Sequence, residues 1–142
     1  MKKLLVCLFI STLIFSCQEV PKTENQSKKE LEKPLRSEMS ALMQRMFLEN
    51  KIIKEQIEQG NSNLGFFPTD YLKIHSAVLT DPSDMDDIFK ECANNFITAQ
   101  QRVFSENENS KENFNRMVNT CIACHQQKCP GPIRRIKKLY LK

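Results

Sequence analysis

Glycine is scarce in this chain, with 3 residues among 142, and no segment shows the apolar–polar alternation of a half-buried strand. These absences exclude a sheet-based fold, and with it the βαβ surroundings that a thioredoxin-like dithiol requires. Long apolar runs are missing too. Leu4 to Phe15 is nearly all apolar but far shorter than the ~20 residues of a permanent membrane-spanning helix. Histidine is limited to His75 and His125, so any imidazole chemistry rests on two positions. Charge of neither sign dominates: 21 basic side chains face 17 acidic ones, a net +4. No basic motif interleaved with aromatics accompanies it, which argues against nucleic acid as a partner. The length, with 27% charged and 40% hydrophobic residues, suits one modest domain with a short appendage and leaves no room for a second.

Cysteine, by contrast, is plentiful, at 6 residues. Cys7 lies inside an N-terminal segment in which Lys2 and Lys3 precede the apolar run and small Ser16 stands before Cys17, the pattern of a secretory signal. Residues 1–16 are therefore expected to be removed as a signal peptide. The cleavage region resembles a bacterial lipoprotein signal, in which the cysteine after the cut carries lipid. Ile14 stands where Leu is commoner, and Phe15 is bulky for its place. That resemblance implies lipidation at Cys17 and a periplasm-facing protein anchored to a membrane of the bacterial cell envelope. The alternative is a soluble periplasmic protein with Cys17 unmodified. Residues 17–33 are polar and charged, with Val20 and Leu31 as the sizeable apolar side chains, and are expected to form a flexible tether. Residues 34–142 remain for the folded domain. Removal of residues 1–16 takes Lys2 and Lys3 from the basic count, leaving 19 against 17 and a balance of +2.

Cys121-Ile122-Ala123-Cys124-His125 is the C-x-x-C-H sequence by which haem is attached covalently. On a helix Cys121, Cys124 and His125 fall at i, i+3 and i+4 on one face. Two thiols there can add to two vinyl groups of one haem, and the imidazole can bind its iron. The rival reading makes Cys121, Cys124, His125 and Cys129 four zinc ligands. It is disfavoured because Cys124 and His125 are adjacent, whereas structural zinc sites usually separate their paired ligands by two or more residues. Cys92 and Cys129 are left over, and an oxidising compartment favours joining them in a disulfide, the alternative being two free thiols.

Helical periodicity supplies the framework. Leu35, Met39, Leu42, Met46, Ile53 and Ile57 keep a three-four spacing interrupted at Glu49, and Gly60 ends the run. Residues 61–67 read as a loop. Pro68 then opens a short helix whose face is Tyr71, Ile74, His75 and Val78, stopped before Asp81-Pro82. Ser83 and Asp86 resemble a capping box for a third helix with the seam Met85, Phe89, Cys92, Phe96, Ala99 and Val103. Ser110 is expected to cap a fourth, on which Phe114, Met117, Cys121 and Cys124 share one side. Cys129-Pro130-Gly131-Pro132 breaks it. Ile133 to Lys142 follows as a basic, partly apolar tail carrying Arg134, Arg135, Lys137, Lys138 and Lys142.

With C-x-x-C-H at 121–125 of 142 residues and four helical patterns before its end, residues 34–129 resemble the class II c-type cytochromes, the cytochrome c′ and c-556 group. The ending from Phe114-Asn115 through His125-Gln126 to Cys129-Pro130-Gly131-Pro132-Ile133 is similar to that of a branch of small bacterial envelope cytochromes. The resemblance implies an all-α antiparallel four-helix bundle, one covalent haem c per chain and two-subunit association as in much of the family. The short second helix, and Cys129 where the c′ group often has a basic residue, depart from the pattern.

The iron's second axial position separates the functions open to such a protein. A Met there suits electron transfer, and an open position suits gas binding or sensing. Six-coordinate members of the family resembled supply a Met near the start of the first helix. That points to Met39, Met43 or Met46, with Met43 preferred because Gln44-Arg45 follows it. Methionine at helical spacing is also ordinary core filler. His75 is the remaining candidate, and more simply a packing residue. The expected function is one-electron transfer between an unidentified donor and acceptor in the envelope. An enzyme such as a peroxidase would need acid–base groups that the sequence offers only at His75. The basic tail reads as a solvated end, or else as a surface that steers an acidic redox partner or pairs with haem propionates.

Overall fold

The computed structural model describes residues 36–61 and 63–142. The expected signal peptide, Cys17, the tether at 17–33 and Leu35 lie outside the described residues. Every regular element among the described residues is helical. Three long α-helices dominate: α1 (Glu38–Glu58), α2 (Asp87–Ser105) and α3 (Ser110–Lys128). A 3₁₀ segment (Thr69–His75) lies between the first two, and a short α4 (Ile133–Ile136) passes into a 3₁₀ turn (Lys137–Leu139). No helix here is long and apolar enough to cross a membrane.

Each long helix starts and stops for a local reason. Ser37 caps α1, its hydroxyl oxygen accepting from the backbone N–H of Ser40. At the other end Gly60, at φ +77°, donates its N–H to the Ile57 carbonyl while Asn61 donates to that of Gln56. These are the paired bonds of a left-handed glycine terminus. For α2 the cap is Asp86 itself, which accepts from the N–H of Phe89 at 2.9 Å. The expected capping box is displaced, because Asp81 captures the N–H and hydroxyl of Ser83 in the preceding turn. In α3 Asn109 takes the cap position expected for Ser110, and Ser110 is the first helical residue.

The apolar stripe of α1 is continuous through buried Met39, Leu42, Met46, Asn50 and Ile53. Asn50, one residue beyond the expected interruption at Glu49, fills the gap because Gln100 of α2 reaches it. The Gln100 side-chain N–H donates to Asn50 Oδ1 at 3.0 Å, and Asn50 donates to the Met46 carbonyl at 2.9 Å. Bonds of this kind offset most of the cost of burying two amides, although Gln100 Oε1 has no partner among the described residues.

The α2 seam buries Phe89, Phe96, Ala99 and Val103 as its spacing predicts, with Ala93 and Ile97 beside them. It packs most extensively on α3, whose Phe114, Met117 and Val118 are fully enclosed. Each such side chain contributes roughly 1.5–3 kcal/mol of burial.

The segment expected as a short second α-helix is the main local correction. Tyr71, Ile74 and Ala77 are buried, whereas His75 and Val78 are exposed. That three-residue period is the pitch of a 3₁₀ turn, not of an α-helix. The tail is also more than a solvated end, since Ile136, Leu139 and Leu141 belong to the core.

Candidate functional site

One turn of α3 presents the sequence-predicted residues together: Cys121, Cys124 and His125 all line a single cleft of about 200 Å³. α1 contributes Met43, Met46 and Phe47 to its walls, α2 contributes Cys92 and Phe96, and the tail contributes Arg135, Ile136 and Leu139. The first two groups lie on or beside predicted seams. The tail residues were not anticipated as lining, although their apolar positions at 133, 136 and 139 follow a helical rhythm that pointed to burial.

His125 is 7% exposed, and its Nδ1 lies 3.0 Å from the carbonyl oxygen of Cys129. A carbonyl can only accept, so Nδ1 carries the proton and Nε2 keeps its lone pair, the tautomer of a metal-ligating histidine. Backbone geometry makes this contact. α3 stops at Lys128, Cys129 is extended at φ −151°, and its N–H still bonds to the His125 carbonyl at 3.1 Å. Pro130 then prevents the helix from continuing.

Burial pushes the thiols of Cys121 and Cys124 up to about 12, with the neighbouring thiol of Cys92 raising Cys124 further. Both sulfurs are therefore neutral thiols near neutral pH. The Cys121 thiol lies 3.7 Å from the Met117 sulfur. The expected Cys92–Cys129 disulfide is not formed, as all four described cysteines are free. Cys92 shares the cleft with Cys124 and lies within hydrogen-bonding reach of it, while the Cys129 sulfur is turned to His125 Nδ1 at 3.3 Å. The zinc arrangement of Cys121, Cys124, His125 and Cys129 does not assemble either. No group of three or more His, Cys, Asp or Glu among the described residues is placed to hold a metal ion.

The four candidates for a second iron ligand separate by position. Met43, half-buried, and Met46, 5% exposed, both line the cleft. Met39 is buried in the core outside the cleft lining, and His75 is exposed and outside it. The site is also braced from below. Lys128, in the last turn of α3, donates to Asp86 at 2.5 Å and so ties the end of α3 to the start of α2. No known protein family, curated protein or solved structure matches the chain.

Proposed function

We propose that the protein is a monohaem c-type cytochrome that carries single electrons in the bacterial cell envelope. In this reading the bundle is of the four-helix kind, with the 3₁₀ segment in the place of the second helix. The observation that carries it is the convergence of Cys121, Cys124 and a tautomerically fixed His125 on one cleft. The residues present fit the group: two thiols and one imidazole from a single helical turn, walled by methionine and phenylalanine. The cleft, about 200 Å³ and open to solvent on one side, is smaller than the roughly 300–1,000 Å³ of pockets that bury an organic ligand by shape alone, so a haem there would be held by its two thioethers and stay partly exposed.

Bound there, haem supplies an iron that cycles between ferrous and ferric states. His125 would hold the iron through Nε2, and its Nδ1–H bond to the Cys129 carbonyl holds the ring's orientation and raises its basicity. A thioether from α1, Met43 before Met46, would be the second group to hold the iron, since both line the cleft. A soft sulfur favours the ferrous state and keeps coordination unchanged between oxidation states, which suits electron transfer over catalysis. The apolar wall from Phe47, Phe96 and Ile136 limits water at the iron. A lipid on Cys17 anchors the domain to a membrane.

The test is expression of the full chain in a host with haem-attachment machinery, followed by denaturation and extraction with acidified organic solvent. Haem that stays with the polypeptide supports the reading, and haem that leaves it entirely rejects c-type attachment. Five-coordinate ferrous iron that binds carbon monoxide readily would turn the function to gas binding.

A further inference from the structure

The cleft carries one permanent charge, and it is positive. Besides His125, the residues that line it are apolar, thiol, hydroxyl or amide side chains, with Arg135 as the exception. Arg135 comes from α4, yet it is held against α1. Its Nη1–H donates to Gln44 Oε1 at 2.6 Å, and its guanidinium carbon lies 3.8 Å from the centroid of the Phe47 ring. Gln44 and Phe47 are three apart on α1 and both line the cleft. No carboxylate among the described residues pairs with Arg135, although its neighbours on α1 are so paired: Lys51 with Glu55, and Lys54 with Glu58.

A guanidinium offers five N–H donors in a planar fork matched to a carboxylate. The Gln44 bond uses one and the Phe47 ring takes a face, so the fork is oriented with donors to spare. Resting on the haem reading above, we propose that Arg135 is the counter-cation for a propionate carboxylate of the haem, anchored through Gln44 and Phe47. It ties the prosthetic group to the tail as the cysteines tie it to α3. A fixed cation lining the haem cleft would disfavour the ferric state, which bears one more positive charge, so Arg135 would raise the reduction potential. It also keeps the propionate ionised, since an opposite charge nearby lowers a carboxyl pKa.

The experiment is a potentiometric titration, at several pH values, of haem-loaded wild type, Arg135→Gln, Arg135→Lys and Arg134→Gln. Arg134 and Arg135 are both exposed and carry the same charge, but Arg134 lies outside the cleft lining, so it controls for net charge. The expected result is a lowered midpoint potential in Arg135→Gln, with a new pH dependence near neutrality as the unpaired propionate titrates. Arg135→Lys, which keeps the charge but not the fork, should fall between wild type and Arg135→Gln, and Arg134→Gln should match wild type. Equal shifts from the 134 and 135 variants, or none from Arg135→Gln, would overturn the assignment while leaving the haem in place. Failure of the wild type to retain haem through denaturing extraction would remove the cytochrome reading, and this proposal with it.

Discussion

His125 Nδ1 and the carbonyl oxygen of Cys129 lie 3.0 Å apart, four residues along the chain and just past the end of α3. The contact exists because the helix is stopped there, so that the carbonyl of the first extended residue folds back on the ring. A helix continued through Pro130 would leave the imidazole without this partner. The way the helix terminates thus places an acceptor at Nδ1 and favours the tautomer that leaves Nε2 free to bind a metal.

Substitution of His125 should separate attachment from ligation. His125→Ala leaves the sulfurs of Cys121 and Cys124 untouched, so covalent haem should persist on a denaturing gel stained for peroxidase activity. The visible spectrum should lose its histidine-ligated form. Loss of covalent haem to the same degree as in Cys124→Ala would show that attachment, too, depends on the imidazole.

Cys92 adds a third thiol beside Cys124, one of the two proposed attachment sulfurs. A protein disulfide oxidant can join Cys92 to Cys124, taking two electrons and two protons and leaving as its dithiol, which removes Cys124 from haem attachment. Haem-free chain recovered from an oxidising compartment should therefore yield a Cys92–Cys124 crosslinked peptide in a non-reducing digest. Cys92→Ser should raise the haem-loaded fraction. A haem-free pool in which Cys92 is always free would defeat this expectation.

The grouping of Cys121, Cys124 and His125 on one face and the α2 seam were legible in the sequence because both follow from helical spacing. Phe89, Phe96, Ala99 and Val103 are buried where a three-four spacing puts them. The 3₁₀ segment was misread because Tyr71 and Ile74 fit either pitch, and only Ala77, a small residue with little weight as an apolar marker, distinguishes them. The Cys92–Cys129 pairing is an expectation from counting leftover cysteines, which ignores the helix face; in the structure both thiols are free and Cys92 lies in the cleft beside Cys124. Arg135 was legible as a charge but not as a wall of the cleft. Its position depends on the turn at Cys129-Pro130-Gly131-Pro132, whose direction no periodicity encodes.

Asp86 should set part of the acid stability of the site's base. Its carboxyl is held below the usual carboxylate range by the Lys128 ammonium first and the Phe89 N–H second. Because the folded value is depressed, the stabilisation is complete above the unfolded value of about 3.9 and is lost as pH falls through the lower folded one. Asp86→Asn keeps an oxygen for the Phe89 N–H but no charge for Lys128, and Asp86→Ala keeps neither. Melting temperatures near neutral pH should fall in the order wild type, Asn, Ala. The acid limb of the wild-type stability curve should flatten in both variants, and an unchanged limb would mean that the ion pair does not contribute.

Methionine substitutions on α1 should divide by position. Met43 is half-buried and lines the cleft, Met46 is buried and lines it, and Met39 is buried outside the lining. If Met43 donates its sulfur to iron, Met43→Ala should lower the reduction potential and let carbon monoxide bind the ferrous form, with modest loss of stability because the side chain is only half enclosed. Met39→Ala should leave the spectrum and potential unchanged while costing about 2–5 kcal/mol by chemical denaturation, as a truncated core side chain does. Met46→Ala is the discriminating case, since it combines burial with access to the cleft. A spectrum altered by Met46→Ala and not by Met43→Ala would move the ligand one helical turn along α1, and no spectral change from either would leave the iron without a methionine from this helix.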